Sequence, residues 1–226
     1  GDLDRALLLT ERPTSGRLED AIASEALSVR GIALAYKGDD ARARQTLESA
    51  VMVANLARDA RALGIAKGSL GIAHQRAGRS KDARAAYEEA LTTTKSANDA
   101  WTVATMRLNL AGLAQAEGDL GRAIAHLEAA TDLGAKAGGS LAARQAALNL
   151  ANLDLYLGRL ARAQTSLDAL VAVEGELPRA ARAQLLGLDA DLAQKKGEIA
   201  VAHDKYVACA TAYEGLGRPL DAAEAK

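Results

Sequence analysis

Phenylalanine is absent from this chain, and tryptophan and cysteine occur once each, as Trp101 and Cys209. A single cysteine forbids an internal disulfide and fits a reducing compartment, so a cytoplasmic location is expected. Aromatic residues make up only 3% of the sequence, which leaves no interleaved platforms on which nucleic-acid bases could stack. Positive charge is not in excess either: 28 Lys and Arg against 29 Asp and Glu give a formal net charge of -1. A protein with no basic surplus cannot displace many counterions from a phosphate backbone, and nucleic acid is not expected as a partner. No apolar run nears the ~20 residues that span a bilayer, and no membrane association is expected. The opening residues, Gly1-Asp2-Leu3-Asp4-Arg5, are not a charged-then-apolar leader and include no initiator Met. The chain is expected to be a piece of something longer, or a processed product.

Chemistry-bearing patterns are missing too. The three histidines, His74, His126 and His203, have no i, i+4 pairing and no cysteine beside them, so no metal is expected and the histidines read as structural. The glycines form no G-x-x-x-x-G-K-[ST] loop. Glu88-Glu89 and Asp39-Asp40 read as helix-surface or cap charges, and no carboxylate pair is marked for acid–base work. Cys209 reads as a small buried packing residue, and Trp101 as a staple over the preceding hairpin. No catalytic residue, cofactor or enzymatic activity is expected.

What is present is a phrase that returns. Gly118-Asp119-Leu120-Gly121-Arg122-Ala123 is echoed 40 residues earlier by Gly78-Arg79-Ser80-Lys81-Asp82-Ala83, and 40 earlier again by Gly38-Asp39-Asp40-Ala41-Arg42-Ala43. Downstream it recurs from Gly158 to Ala163 and, 39 residues further, from Gly197 to Ala202. A fixed period of about 20–50 residues marks a solenoid, which grows by neighbour contacts rather than around one centre. Apolar residues at helical spacing, glycine stops and acidic starts predict helices over 17–37, 39–57, 60–77, 79–97, 100–117, 119–136, 140–157, 159–173, 178–196 and 198–214. No strand pattern occurs, and the fold class is all-α.

The whole chain, 1–226, reads as one solenoid with repeats at 17–57, 58–97, 98–136, 137–176 and 177–216. Residues 1–16 read as a half-repeat helix and turn, with Leu3, Ala6, Leu7 and Thr10 on one face, and 217–226 as the start of a further helix. Two such ragged ends predict end-to-end self-association or shielding by neighbouring sequence. Helices that cross closely need small side chains. Gly31, Gly71, Ala111, Ala151 and Ala190 supply them on the first helix of each hairpin, and Ala43, Ala83, Ala123, Ala163 and Ala202 on the second. Leu47, Tyr87, Leu127, Leu167 and Tyr206 are expected to fill the space between neighbouring hairpins.

Small residues at these two places, a Gly-Asp type of turn, then Ala-x-x-x-(Leu/Tyr)-x-x-Ala, resemble the tetratricopeptide repeat. The period of 40 exceeds the usual 34, and the family's proline near the end of the second helix is replaced by Asn55, Lys95, Ala135, Gly175 and Glu214. This is similar to the long-helix subgroup of kinesin light chains and of bacterial regulators that join an ATPase or kinase to a repeat sensor. The resemblance implies a right-handed α-α superhelix of antiparallel hairpins whose first helices line a concave groove.

Carried over repeat by repeat, the groove positions are Glu25, Ser28, Val29, Ile32 and Tyr36, then Ile65, Gly68, Ser69, Ile72, Gln75 and Arg76. Next come Thr105, Leu108, Asn109, Gly112 and Gln115, then Gln145, Leu148, Asn149, Asn152 and Tyr156, with Gln184, Asp191, Gln194 and Lys195 last. Asn109 and Asn149 stand at the same place in parallel phrases, and amides suit the backbone of an extended peptide. The expected peptide contacts are therefore Asn109, Asn149, Asn152, Tyr156, Gln115 and Gln145, with Tyr36, Gln75 and Arg76 beside them. A chaperone-tail clamp is not expected, because Ser28, Gly68, Leu108, Leu148 and Gly187 stand where its lysine would. The resemblance implies a protein- or peptide-binding scaffold, the sensor or interaction segment of a larger bacterial signalling or regulatory protein. A metabolite-binding groove and a purely structural spacer or oligomerisation arm are the alternatives.

Overall fold

In the computed structural model the described residues are 17–94, 99–136, 140–173, 175 and 177–217. They form ten α-helices and no strand. These are α1 (Arg17–Tyr36), α2 (Asp40–Ala57), α3 (Ala60–Arg76), α4 (Ser80–Thr94), α5 (Ala100–Ala116), α6 (Leu120–Lys136), α7 (Leu141–Tyr156), α8 (Leu160–Val171), α9 (Arg179–Lys195) and α10 (Ile199–Glu214). The expected half-repeat of 1–16 and the helix expected beyond 217 lie outside the described residues.

Short-range chemistry sets the ends of these helices. Asp39, Asp59, Asp99 and Ser140 each accept a hydrogen bond from the backbone N–H three residues on, at Arg42, Ala62, Thr102 and Ala143. Each cap satisfies an otherwise orphaned donor and is worth about 1 kcal/mol. The glycines of the returning phrase stop the first helices. At the end of α5, Gly118 has φ +78°, a value that L side chains rarely adopt. The chain then folds back, with Gly118 N–H donating to Gln115 O and Asp119 N–H to Ala114 O.

The chain divides into two compact units, residues 1–126 and 127–226, with the division inside α6. In the first unit, α1 pairs with α2 and α3 with α4. The glycines expected at the crossings are required there. A Cβ at Gly31 would overlap Leu47, and one at Gly71 would lie 2.5 Å from the Tyr87 ring. Leu47 and Tyr87 are fully buried. They reach the neighbouring hairpin, as expected, in clusters with Ala73 and with Met106, Leu110 and Leu113. They also lie directly on the glycine of their own hairpin, which the expectation of between-hairpin filling left out. Tyr87 keeps its hydroxyl satisfied by donating to Gln75 Oε1 at 2.8 Å, and burial raises its pKa.

The second unit pairs α7 with α8 and α9 with α10. Its core is a leucine cluster that includes Leu148, Leu155, Leu167, Leu170, Leu177, Leu185, Leu188 and Leu192. Each such side chain contributes about 1.5–3 kcal/mol by burial. Tyr206 repeats the Tyr87 arrangement: its hydroxyl lies 2.5 Å from Asp191 Oδ1 and 2.9 Å from Gln194 Oε1. Desolvation first, and Asp191 second, push its pKa up to about 12.

Candidate functional site

The first helices of the N-terminal unit carry a cavity of about 280 Å³. Glu25, Ser28, Val29 and Ile32 of α1 form one wall, Arg61, Ile65, Ser69 and Ile72 of α3 the next, and Trp101, Thr102, Thr105 and Met106 of α5 the third. The repeat explains the layout: Glu25, Ile65 and Thr105 are successive equivalents at intervals of 40, as are Ile32 and Ile72. Gly68 makes room for the thioether. A Cβ there would lie 2.5 Å from Met106 Sδ, so glycine lets Met106 lie against the α3 backbone.

The polar lining is engaged within the chain. Ser28 Oγ donates to Ser24 O, Ser69 Oγ to Ile65 O and Thr105 Oγ1 to Trp101 O. Thr102 Oγ1 donates to Asp99 Oδ2 at 2.5 Å, and Asp99 also caps α5. Arg61 is held from both sides, with Nη1 3.0 Å from Glu25 Oε1 and Nε 3.4 Å from Asp99 Oδ2.

Trp101 is 50% exposed and lines this cavity together with Arg61 and Ile65 of the preceding hairpin. Arg61 was not anticipated at all. In the 40-residue register Ala21, Arg61, Trp101 and Leu141 are equivalent, and the appearance of Arg and Trp at a position otherwise aliphatic is the signal that could have marked both.

The nine residues expected to contact a partner lie outside this cavity. Tyr36 and Arg76 meet each other: the guanidinium carbon is 4.0 Å from the ring centroid, and Arg76 Nε donates to Ala35 O. Gln75 holds the Tyr87 hydroxyl. Asn109 is half-buried, and its Nδ2 makes no hydrogen bond to the protein. Gln115 is exposed. In the C-terminal unit Gln145 Nε2 donates to Asn149 Oδ1 at 3.1 Å and to Gln184 Oε1 at 2.9 Å, joining α7 to α9 through amides. Asn152 and Tyr156 are exposed, Tyr156 at 77%.

Other titratable groups have structural surroundings. His74 Nδ1 accepts from Arg79 Nε at 3.0 Å, and burial followed by Arg79 lowers its pKa. His126 Nδ1 lies 3.2 Å from Arg107 Nη1, and burial followed by Arg107 lowers its pKa as well. Cys209 is buried, its thiol donates to Ala183 O, and burial raises its pKa. Asp154 is fully buried and was not singled out from sequence. Its Oδ2 is 3.1 Å from Arg162 Nε and its Oδ1 3.6 Å from Arg159 Nη1, while Arg162 also reaches Glu128 at 2.8 Å. No group of three or more His, Cys, Asp or Glu side chains among the described residues could hold a metal ion. None of the described helices is long and apolar enough to cross a membrane.

Helix hairpins in series, closed by left-handed glycines and crossing over small residues, decide the fold. It is that of the tetratricopeptide repeat. The chain is similar to BtubC (BKLC) from P. vanneervenii, with a TM-score of 0.79 and 20% identity over 96% of this chain and 93% of that one. It is similar to a putative kinesin light chain from Podosopora anserina with nearly identical repeats of this type, with a TM-score of 0.64 and 17% identity over 86% of this chain and 96% of the other. It is also similar to a Rap protein complexed with competence and sporulation factor, with a TM-score of 0.65 and 15% identity over 91% of this chain and 62% of that one. No protein-family model and no curated protein matches the sequence.

Proposed function

We propose that this chain is a protein- or peptide-binding repeat scaffold, the interaction segment of a larger signalling or regulatory protein. In this reading the cavity on α1, α3 and α5 takes side chains of an extended partner segment. The observation that carries it is that the walls come from three successive first helices, so a ligand must run across repeats rather than nest within one. At about 280 Å³ the cavity falls just below the ~300–1,000 Å³ usual for a whole small-molecule ligand. The Rap protein, a chain of the same fold bound to a factor, lends support. The amides Asn109, in the N-terminal unit, and Asn149, in the C-terminal unit, are each proposed, unit by unit, as a contact to a partner's main chain.

The test is selection of peptides from a random display library against the full chain, followed by titration of the selected peptides. Val29 is 50% exposed in the cavity wall and Met52 is 64% exposed on α2. Val29→Arg is expected to weaken binding at least tenfold without changing the melting temperature, and Met52→Arg to leave it unchanged. Peptides that bind both variants equally would refute the groove.

A further inference from the structure

We propose that this cavity selects an apolar side chain flanked by lysine or arginine, a specificity that rests on the groove reading above. The apolar part of the lining is Val29, Ile32, Ile65, Ile72, Trp101 and Met106. Its hydroxyls have already spent their hydrogens: those of Ser28, Ser69 and Thr105 on backbone carbonyls and that of Thr102 on Asp99. None is left as a donor to a ligand, and only Thr105, the one of the four that is not buried, still offers a lone pair.

The charges point the same way. Arg61 is the cation of the lining, and it lies between two carboxylates, Glu25 at 3.0 Å and Asp99 at 3.4 Å. Two carboxylates around one guanidinium leave that end of the cavity with one negative charge in excess. An incoming carboxylate would compete with both for a guanidinium already engaged, and elsewhere would meet an apolar wall. Burying it there without a donor is costly. An ammonium or guanidinium would meet the half-exposed carboxylate of Glu25, the Thr105 hydroxyl oxygen and the half-exposed indole of Trp101, a partner for a cation over a ring, with Asp99 adding its charge from behind Arg61. Charge complementarity therefore commits the groove to a basic and apolar segment and sets it against an acidic one.

Trp101 is the sole tryptophan, so its emission reports on the cavity. A selected tryptophan-free peptide is resynthesised with Lys, Gln or Glu at the positions flanking its apolar anchor, and each version is titrated against the full chain. The Lys version is expected to bind at least tenfold tighter than the Glu version. That ratio should shrink about fivefold in Glu25→Gln and widen in Arg61→Gln, because the first removes a carboxylate and the second frees two. Equal or tighter binding of the Glu version would overturn the charge assignment and leave the groove standing. Binding that leaves Trp101 emission unmoved and ignores Val29→Arg would overturn both.

Discussion

In the hairpins α1/α2 and α3/α4 the close crossings are made over glycine, at Gly31 and Gly71, and the faces of α1, α3 and α5 carry Ile, Val, Ser and Thr around a cavity. In α7/α8 and α9/α10 the same crossing positions are Ala151 and Ala190, the core is packed with leucine, and the groove positions carry amides that bond to one another. The N-terminal unit thus leaves an apolar hollow that a ligand can fill, while the C-terminal unit joins Gln145, Asn149 and Gln184 to one another and leaves Asn152 and Tyr156 exposed. Caps, turn glycines and small crossing residues build the repeat in both. The side chains on the open face of the first helices are not needed for that, so they are free to diverge into a cavity in one unit and an amide network in the other.

The largest expected effect tests the C-terminal unit. Arg162→Ala leaves the fully buried Asp154 with Arg159 alone, 3.6 Å away. Removing one partner of a fully buried pair typically costs about 3–5 kcal/mol. Here only Asp154 is buried, Arg162 is 48% exposed and Arg159 remains, so the loss should be smaller, about 2–3 kcal/mol by denaturant unfolding. Asp154→Leu in that background should restore most of the loss, since Leu34 fills the equivalent place in the first repeat. No recovery would mean that Arg162 acts through Glu128 instead.

Glycine substitutions in the N-terminal unit should differ in sign. At Gly31 and Gly71 an added methyl overlaps Leu47 or Tyr87, an overpacking cost of about 1–3 kcal/mol set against a helix-propensity gain of about 1 kcal/mol. Gly31→Ala and Gly71→Ala should each lose up to about 2 kcal/mol. At Gly112 of α5 an added Cβ meets nothing within 4 Å, and Gly112→Ala should gain about 0.5–1 kcal/mol. Melting curves of the three variants decide whether the close crossings are where the structure puts them.

The smallest expected effect is a pH dependence. Both His74 and His126 have pKa values lowered from 6.5 by burial. The unfolded chain then binds more protons than the folded one, so their contribution to stability is complete above pH 6.5 and declines as the pH falls below it. Between pH 7 and pH 5.5 the denaturant midpoint should drop slightly, and His74→Gln together with His126→Gln should flatten that slope.

Much of this was legible in the chain itself. The helix limits follow from caps that reach three residues and from glycines that turn the chain within five, so a linear reading finds them. The phrase, met five times at intervals of 40 and finally 39, carries the register from one hairpin to the next. The family resemblance even placed Val29, Ile32, Ser69 and Ile72 on the right face, because equivalent positions of a repeat share a face. Tertiary structure alone decided which of those positions enclose a volume. Arg61 finds Glu25 across 36 residues, Trp101 becomes part of a cavity wall, and Gln145 takes up Asn149 and Gln184. A period fixes where each Cβ points, but partners depend on the length, charge and hydrogen-bonding needs of side chains brought together from different repeats.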